Sequence, residues 1–159
     1  MRSHLPSTPY LLKTLPLLGL LGLGACGLTQ AQVPQRNIAV QQEWTLKPGS
    51  DVGGFEVIGG LGDVSIDVNG GKIRAPFDGQ LQPTDSDACV AFTSPEVPAY
   101  LFRLCGVVQP RLGDVEAGQV MGRSEVLQFA AMRRQPEGTW AIVEPATEIL
   151  EKTLGKSAQ

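Results

Sequence analysis

The chain has 159 residues and a mass of 16.9 kDa, which is enough for one compact domain with a tail and too little for two ordinary domains. Hydrophobic residues make up 42% and support a packed core, whereas 19 glycines and 12 prolines favour tight turns over long helices. The formal charge of -3 and the pI near 5.1 provide no basic field, so the composition argues against a nucleic-acid partner.

Residues 1–25 have the composition of an export signal. Two basic residues, Arg2 and Lys13, precede the apolar run "LPLLGLLGLGA" at 15–25. The run has roughly 11 residues, which suits the hydrophobic region of a signal peptide and falls short of the roughly 20 that span a bilayer. We therefore predict that residues 1–25 are a signal peptide that takes no part in the fold.

The apolar run ends in "LGAC", residues 23–26, which resembles the lipobox of bacterial lipoproteins. In that motif, small residues admit the signal peptidase and the cysteine thiol accepts a diacylglycerol. The resemblance implies that Cys26 is lipidated; the alternative is a plain secretory signal cut after Ala25 or near Ala31. Acyl chains such as palmitate contribute about 0.8 kcal/mol per buried methylene, so they would anchor the protein to a membrane of the bacterial cell envelope.

Residues 26–43 would then form a lipidated N-terminus and a flexible tether. The segment "GLTQAQVPQRNIAVQQ" at 27–42 is rich in Gln and lacks clear periodicity, as expected for a linker. Removal of Arg2 and Lys13 lowers the basic count from 13 to 11 against 16 acidic residues, so the mature chain carries about -5.

From Trp44 onward, short apolar or alternating runs are separated by Gly or Pro, which predicts a mainly β domain of short strands. Two of the separating segments, Asn69-Gly70-Gly71 and Glu137-Gly138, have the composition of hairpin turns. The predicted strands are "EWTL", "GFEVI", "DVSIDV", "KIRA", "ACVAF", "YLFRL", "GQVMG", "EVLQFAAM" and "TWAIV".

The segment "EPATEILEKTL" at 144–154 predicts one short C-terminal helix over an end of the sheet. Pro145 suits a first helical turn, and Gly155 follows the last turn. Three aliphatic side chains, Ile149, Leu150 and Leu154, would share one face. Five aromatic residues are expected in the core rather than on a sugar-binding platform. They are Trp44, Phe55, Phe92, Phe129 and Trp140.

Cys89 and Cys105 are an even pair in a chain that we expect to be exported, and an oxidising compartment favours a disulfide between them. They flank "VAFTSPEVPAYLFRL" at 90–104, which predicts two strands joined by a Pro-rich turn. Cysteines near the base of such a hairpin can reach disulfide geometry, and closing a loop of about 15 residues stabilises by roughly 3 kcal/mol. Two reduced, buried thiols are the alternative, and two cysteines alone make a poor zinc site.

Two motifs carry a family resemblance: "GKIRAPFDGQL" at 71–81 and "RLGDVEAGQVMG" at 111–122. They resemble the marks of barrel-sandwich folds, which include the lysostaphin-type (LytM-type) zinc peptidases and the biotinyl and lipoyl carrier domains. Such a flattened barrel reverses its strands at glycines, and Asp78 or Asp114 can accept hydrogen bonds from backbone N–H groups of a turn.

The order of elements favours the peptidase family over the carriers. The hairpin between the motifs resembles a segment that leads into "Y-x-H-L", and residues 125–150 resemble "H-L-H-F-E-x-R-x-x-G…P". A carrier needs a modifiable lysine in a tight turn, whereas "AAMRR" has Arg133 at that place. The resemblance implies a LytM-like small flattened β-barrel or sandwich, a barrel-sandwich hybrid with a short C-terminal helix, over residues 44–155, followed by a tail at 156–159.

The resemblance also shows which zinc chemistry is missing, since the only histidine of the chain is His4 in the signal peptide. By position, Asp63 replaces the first zinc-binding histidine and Asp67 matches the family's aspartate. Arg103 or Phe102 lies near the histidine of "Y-x-H-L". Val126 and Gln128 stand at "H-x-H".

Two carboxylates and an amide oxygen are poor zinc ligands, although they could hold calcium or magnesium weakly. Asp63 and Asp67 share a strand face by alternation, which suits acid/base work, but solvated surface acids are the commoner case. We therefore expect neither a catalytic site nor a metal or other cofactor.

These observations predict a non-catalytic envelope lipoprotein that binds peptidoglycan or regulates a cell-wall hydrolase such as an amidase. The binding groove would contain Asp63, Asp67, Tyr100, Arg103 and Gln128. The alternatives are a metal-dependent cell-wall peptidase with unusual ligands and a biotinyl- or lipoyl-like structural domain.

Overall fold

The computed structural model of the protein describes Arg36 and residues 43–156. The predicted signal peptide at 1–25, the lipidation site Cys26, all but two residues of the predicted tether and the end of the tail lie outside the described residues. Residues 43–156 form one compact unit.

The described part of the chain forms nine strands and one helix. They are β1 (Asp51–Val52), β2 (Phe55–Gly60), β3 (Val64–Arg74), β4 (Gly79–Pro83), β5 (Cys89–Thr93), β6 (Tyr100–Cys105), β7 (Gly113–Val115), β8 (Val120–Arg134), β9 (Trp140–Val143) and α1 (Thr147–Thr153). The prediction of a mainly β fold with one short C-terminal helix is confirmed.

The strands form one antiparallel sheet in the order β1-β2-β3-β8-β6-β5-β4-β7, and β9 also pairs with β8. This hydrogen-bonded path begins at β1 and ends at β7 without closing on itself. Neighbours along the sheet are often distant in sequence, because β8 lies between β3 and β6.

β8 is the centre of the sheet because it is long enough to pair with three strands. Its first ten residues pair with β3, from Val120 to Phe129, and Gln128 to Arg133 pair with β6 on its other edge. Its last four residues pair with β9. β8 therefore holds the two halves of the sheet together.

The core lies against one face of this sheet. Phe102 stands between Phe92 and Phe129, with ring centroids 6.2 and 5.5 Å apart, and all three rings are buried. Aliphatic side chains of β3 and β8, among them Ile66 and Leu127, complete the packing. Alternating residues point inward because successive side chains of a strand lie on opposite faces.

The hairpin turn predicted at Asn69-Gly70-Gly71 is wrong. The segments "DVSIDV" and "KIRA" are halves of the single strand β3, and both pair with β8. Asn69 and Gly70 adopt φ of 50° and 73°, and the register shifts between Asp67 and Gly71. The Asn-Gly pair therefore forms a bulge that bends a continuous strand, because residues with positive φ serve bulges as well as turns.

Two other strand predictions differ from the structure. The last three residues of "GQVMG" and all of "EVLQFAAM" belong to β8, and "EWTL" at 43–46 is not a strand. Leu46 is nevertheless buried, and its N–H donates to the Glu144 carboxylate at 2.8 Å. The hairpin predicted at Glu137-Gly138 is confirmed, since Gly138 has φ of 91° between β8 and β9.

The C-terminal helix α1 packs by its apolar side, as predicted. Leu150 and Leu154 are buried and Ile149 packs against the core. Gly155 ends the helix with φ of 81°, and its N–H and that of Lys156 donate to carbonyls of the last turn. This left-handed cap suits glycine, which has no Cβ to clash.

The predicted disulfide between Cys89 and Cys105 is present. The two residues face each other in the register of β5 and β6, with Cα atoms 4.0 Å apart. The bond joins the base of a hairpin, as the sequence indicated.

Candidate functional site

Four of the five predicted groove residues lie on or next to the sheet face opposite the core. Gln128 faces Ser65 on one side and Cys105 on the other, and Asp67 faces Val126. We define the outer face by its members in β3, β6, β8 and β9, which are Asp67, Arg103, Val126, Gln128, Ala130, Trp140 and Ile142.

Asp63 lies at the rim of the outer face, just before β3. The Ser65 hydroxyl, on the same face as Gln128, donates to the Asp63 carboxylate at 3.3 Å. Asp67 accepts a 3.2 Å hydrogen bond from the backbone N–H of Asn69, in the bulge. Both carboxylates therefore accept hydrogen bonds from residues two positions further along the chain, Asp63 just before β3 and Asp67 at the bulge within β3.

Tyr100 does not lie with the other four predicted groove residues. Its ring stacks on Phe102 with centroids 6.4 Å apart, and it packs against the core. Tyr100 and Arg103 are three residues apart on β6, so alternation places their side chains on opposite faces of the sheet. The "Y-x-H" spacing of the resemblance pairs Tyr100 with Phe102, two residues further on and on the same face, rather than with Arg103.

Tyr100 instead lines a cavity of about 420 Å³ between the sheet and α1. Its apolar walls include Val97, Val143 and Ile149, and Arg133 and Glu144 also line it.

Arg103 is a half-buried polar residue of the outer face. Its register neighbours are Ala91 on β5 and Ala130 on β8, so small side chains flank it on both sides. The side chain is half-buried, and its Nε is buried without a hydrogen-bond partner. Because the Nε is buried, a carboxylate or carbonyl that arrives from outside can meet only the other N–H groups of the guanidinium.

Large apolar side chains stand beside these polar groups. Trp140 and Ile142 of β9 are each 42% exposed, and Val126 of β8 is 37% exposed. Trp140 was expected in the core, and that expectation is wrong, whereas Phe92 and Phe129 are buried and Trp44 and Phe55 pack partly against the core. β9 is a short outer strand, so one of its two faces remains open to solvent.

The two family motifs meet at the other end of the sheet. The Asp78 carboxylate accepts a 2.7 Å hydrogen bond from the N–H of Ala117, which confirms the expected backbone contact for Asp78. Ala75 donates to Gln119 at 2.9 Å and accepts from Gly118 at 2.7 Å. The loops before β4 and before β8 are therefore joined by three hydrogen bonds.

Two open clefts flank this pair of loops. The acidic cleft, of about 810 Å³, contains Asp78, Asp114 and Glu116 with one cation, Arg111. Asp114 accepts a hydrogen bond from the Gln80 side chain at 3.2 Å. The basic cleft, of about 690 Å³, has the opposite balance. Its charged side chains are Arg74, Glu96, Lys152 and Lys156.

Two exposed carboxylates outside these sites have shifted pKa values. The hydrogen bond and charge of Lys47 hold the pKa of Glu43 below its usual value. At Glu137, its own backbone N–H and the Thr139 hydroxyl lower the pKa of the carboxylate.

Within residues 36 and 43–156 the structure contains no group of three His, Cys, Asp or Glu side chains that could hold a metal ion. Asp63, Asp67 and Gln128, considered as weak calcium or magnesium ligands, are part of that region.

No helix in the described part of the chain is both long and apolar enough to cross a membrane.

Comparison with known proteins gives no family assignment: no family model matches the chain, and no curated protein matches it.

Proposed function

We propose that the chain is a non-catalytic lipoprotein of the bacterial cell envelope whose outer face binds a protein partner, with a cell-wall hydrolase as the first candidate. The observation that supports this most is the exposure of Trp140, Ile142 and Val126 on the face that carries Arg103. Exposed apolar side chains grouped with polar neighbours are typical of interaction surfaces.

The residue types also favour a protein partner. Aromatic residues, Met and Arg are enriched in protein interfaces, and Trp140, Met132 and Arg103 all lie on this side of the sheet. Arg103 is half-buried, and the terminal N–H groups of its guanidinium can donate to a polar group of the partner. An interface core of apolar side chains with a polar rim at Asp63, Asp67 and Gln128 would result.

The disulfide supports the proposed compartment. The Cys89–Cys105 bond suits an oxidising environment such as the exterior of the bacterial cytoplasm. The membrane anchor in this proposal rests on the lipobox resemblance at Cys26, and the hydrolase rests on the resemblance to lysostaphin-type domains.

Peptidoglycan is the alternative ligand, and the exposed indole of Trp140 favours it, because an aromatic face is a large amphipathic contact surface. Purified peptidoglycan co-sedimented with the mature chain tests it. Binding that is lost in Trp140→Ala, with no protein partner at the same face, would support peptidoglycan over a hydrolase.

The protein partner is tested by a photo-cross-linking residue placed at Ile142 in cells, with the same residue at the exposed Asp87 as control. We expect the Ile142 probe to capture a cell-wall hydrolase and Arg103→Ala to weaken the capture. Equal capture from both positions, or capture of neither a hydrolase nor peptidoglycan, contradicts the proposal. Cleavage of wall peptides by the purified chain with any divalent ion would contradict its non-catalytic part.

A further inference from the structure

The basic cleft is locally positive, whereas the protein as a whole carries a net negative charge. The chain has 16 acidic and 13 basic residues, yet three cations, Arg74, Lys152 and Lys156, line this one cleft with a single carboxylate, Glu96. The Glu96 carboxylate is already engaged, since it accepts a 3.2 Å hydrogen bond from the N–H of Asp78. The Glu148 carboxylate also contacts Lys152 at 3.6 Å, so the three cations exceed the neighbouring carboxylates by one positive charge.

The backbone fixes the position of Arg74. Its Nη1 donates to the carbonyl of Gly118 at 2.8 Å, and a Cβ on Gly155 would lie 3.0 Å from its Nε. The absence of a side chain at Gly155 thus makes room for the guanidinium. One hydrogen bond leaves further N–H groups of the five-donor fork for a ligand.

The same glycine directs Lys156. Gly155 turns the chain with φ of 81° after α1, and the Lys156 stem then lies against the turn between β1 and β2, where a Cβ on Gly53 would be 2.9 Å from Lys156 Cγ. Close packing against the backbone therefore fixes the positions of the Arg74 and Lys156 side chains.

Lys152 adds a cation beside an apolar wall. Its Nζ lies 5.2 Å from the centroid of the Phe77 ring, and the Glu148 carboxylate contacts it at 3.6 Å along α1. Phe77 and Pro76 line the cleft next to it. The cleft thus offers donors for an anion and an apolar surface for the group that carries it.

We propose that the basic cleft binds a phosphate group. A guanidinium beside two lysine ammonium groups provides donors for the several oxygens of a phosphate, and Arg donors suit their geometry. The source of this group is a phospholipid headgroup of the anchoring membrane or a soluble phosphate ester. The cleft shares no lining residue with the outer face, so this inference does not depend on the proposed function.

The test uses the chain from residue 26 onward with Cys26→Ser, which cannot be lipidated. Pyrophosphate is titrated while the backbone amide signals of Gly118 and Gly155 are followed by NMR. In parallel, the protein is sedimented with phosphatidylcholine vesicles that lack or contain phosphatidylglycerol. The first arm reports a soluble phosphate, and the second reports a headgroup.

The variants compare equal losses of charge. Arg74→Gln with Lys156→Gln removes two cations of the cleft, and Lys47→Gln with Lys72→Gln removes two exposed cations elsewhere. We expect the cleft variant to bind about a hundredfold more weakly, because each of the two charge-assisted hydrogen bonds is worth about tenfold in affinity. The control variant keeps most of the binding.

Each outcome decides the matter. Binding in either arm that depends on the cleft variant alone supports the site and identifies its source. Absence of binding in both arms, or an equal loss in the control variant, overturns it. If Arg74→Gln perturbs the fold, the pair Lys152→Gln and Lys156→Gln at the end of α1 repeats the comparison without touching β3.

Discussion

Asp78 and Ala117 are 39 residues apart in the chain, yet a 2.7 Å hydrogen bond joins the Asp78 carboxylate to the Ala117 backbone N–H. This contact connects the two motifs that carry the family resemblance. Asp78 lies in the loop before β4 and Ala117 in the loop before β8. The bond therefore holds these two loops together. The acidic and basic clefts lie on either side of this contact.

Replacement of Asp78 by Ala should lower the free energy of unfolding by about 1 kcal/mol, the usual value of a partly exposed hydrogen bond. Urea denaturation with Asp87→Ala as the control measures it, since Asp87 is an exposed acid in the loop before β5. The free energy of unfolding of Asp78→Asn should lie between those of Asp78→Ala and the wild type, because an amide oxygen still accepts a hydrogen bond. Equal midpoints for Asp78→Ala and the wild type would show that the contact contributes nothing.

Replacement of Gly79 by Ala should destabilise the fold by about 2 kcal/mol or more. A Cβ at this position would overlap the backbone carbonyl oxygen of Thr93 and press on the Phe92 ring. Neither a backbone atom nor a buried ring can move away cheaply. Gly60→Ala is the matched control, because its nearest contact, the Leu46 carbonyl oxygen at 3.4 Å, is ordinary van der Waals distance.

Thermal unfolding of the two glycine variants gives the comparison directly. We expect Gly79→Ala to have a clearly lower melting temperature than the wild type and Gly60→Ala to differ from it only slightly. The opposite order would mean that β4 and β5 can separate at Gly79 without cost.

Replacement of Cys89 and Cys105 together by Ala should lower stability by roughly 3 kcal/mol, because the bridge closes a loop across a sequence separation of 16. A reducing agent should have the same effect on the wild type and none on the double variant. Cys26→Ser is the control for loss of a cysteine outside the bridge. Unchanged denaturation midpoints in reducing buffer would contradict this prediction.

The pKa of Glu137 should lie below its usual 4.5, because the carboxylate accepts from its own backbone N–H and from the Thr139 hydroxyl at 2.8 Å. A lowered folded-state pKa means that the ionised carboxylate stabilises the hairpin. This stabilisation is present above the unfolded pKa and is lost as pH falls through the folded pKa. An NMR pH titration of Glu137 measures it.

Thr139→Val should raise the Glu137 pKa towards its usual value, since the variant removes the second donor and keeps the shape of the side chain. Glu137 is fully exposed, so the effect is local to the turn between β8 and β9. A pKa that is the same in both proteins would show that Thr139 does not influence the carboxylate.

The strand positions could be predicted from the sequence because alternation and turn residues are local signals. The core positions of Phe92 and Phe129 and the cysteine pair follow from the same signals. What could not be predicted locally is that "DVSIDV" and "KIRA" share one partner strand, so the glycines between them form a bulge instead of a turn. Whether Asn-Gly makes a hairpin or a bulge depends on where the next residues pair.

The candidate site shows the same limit. Asp67, Arg103 and Gln128 come from three strands, and only the register of β3, β6 and β8 places them on one face. Tyr100 lies on the core side, because it is an odd number of residues from Arg103 on β6. Trp140 carries no local sign of exposure, since an outer strand and an inner strand have the same residue preferences.

The position of β8 has a further consequence for the order in which the protein can fold. Residues 51–74 and 79–115 form two groups of strands that meet only through β8, which begins at Val120. A chain that stops before this strand can form separate hairpins but cannot unite them. The complete hydrogen-bonded sheet therefore requires the last quarter of the chain, which contains β8 and β9.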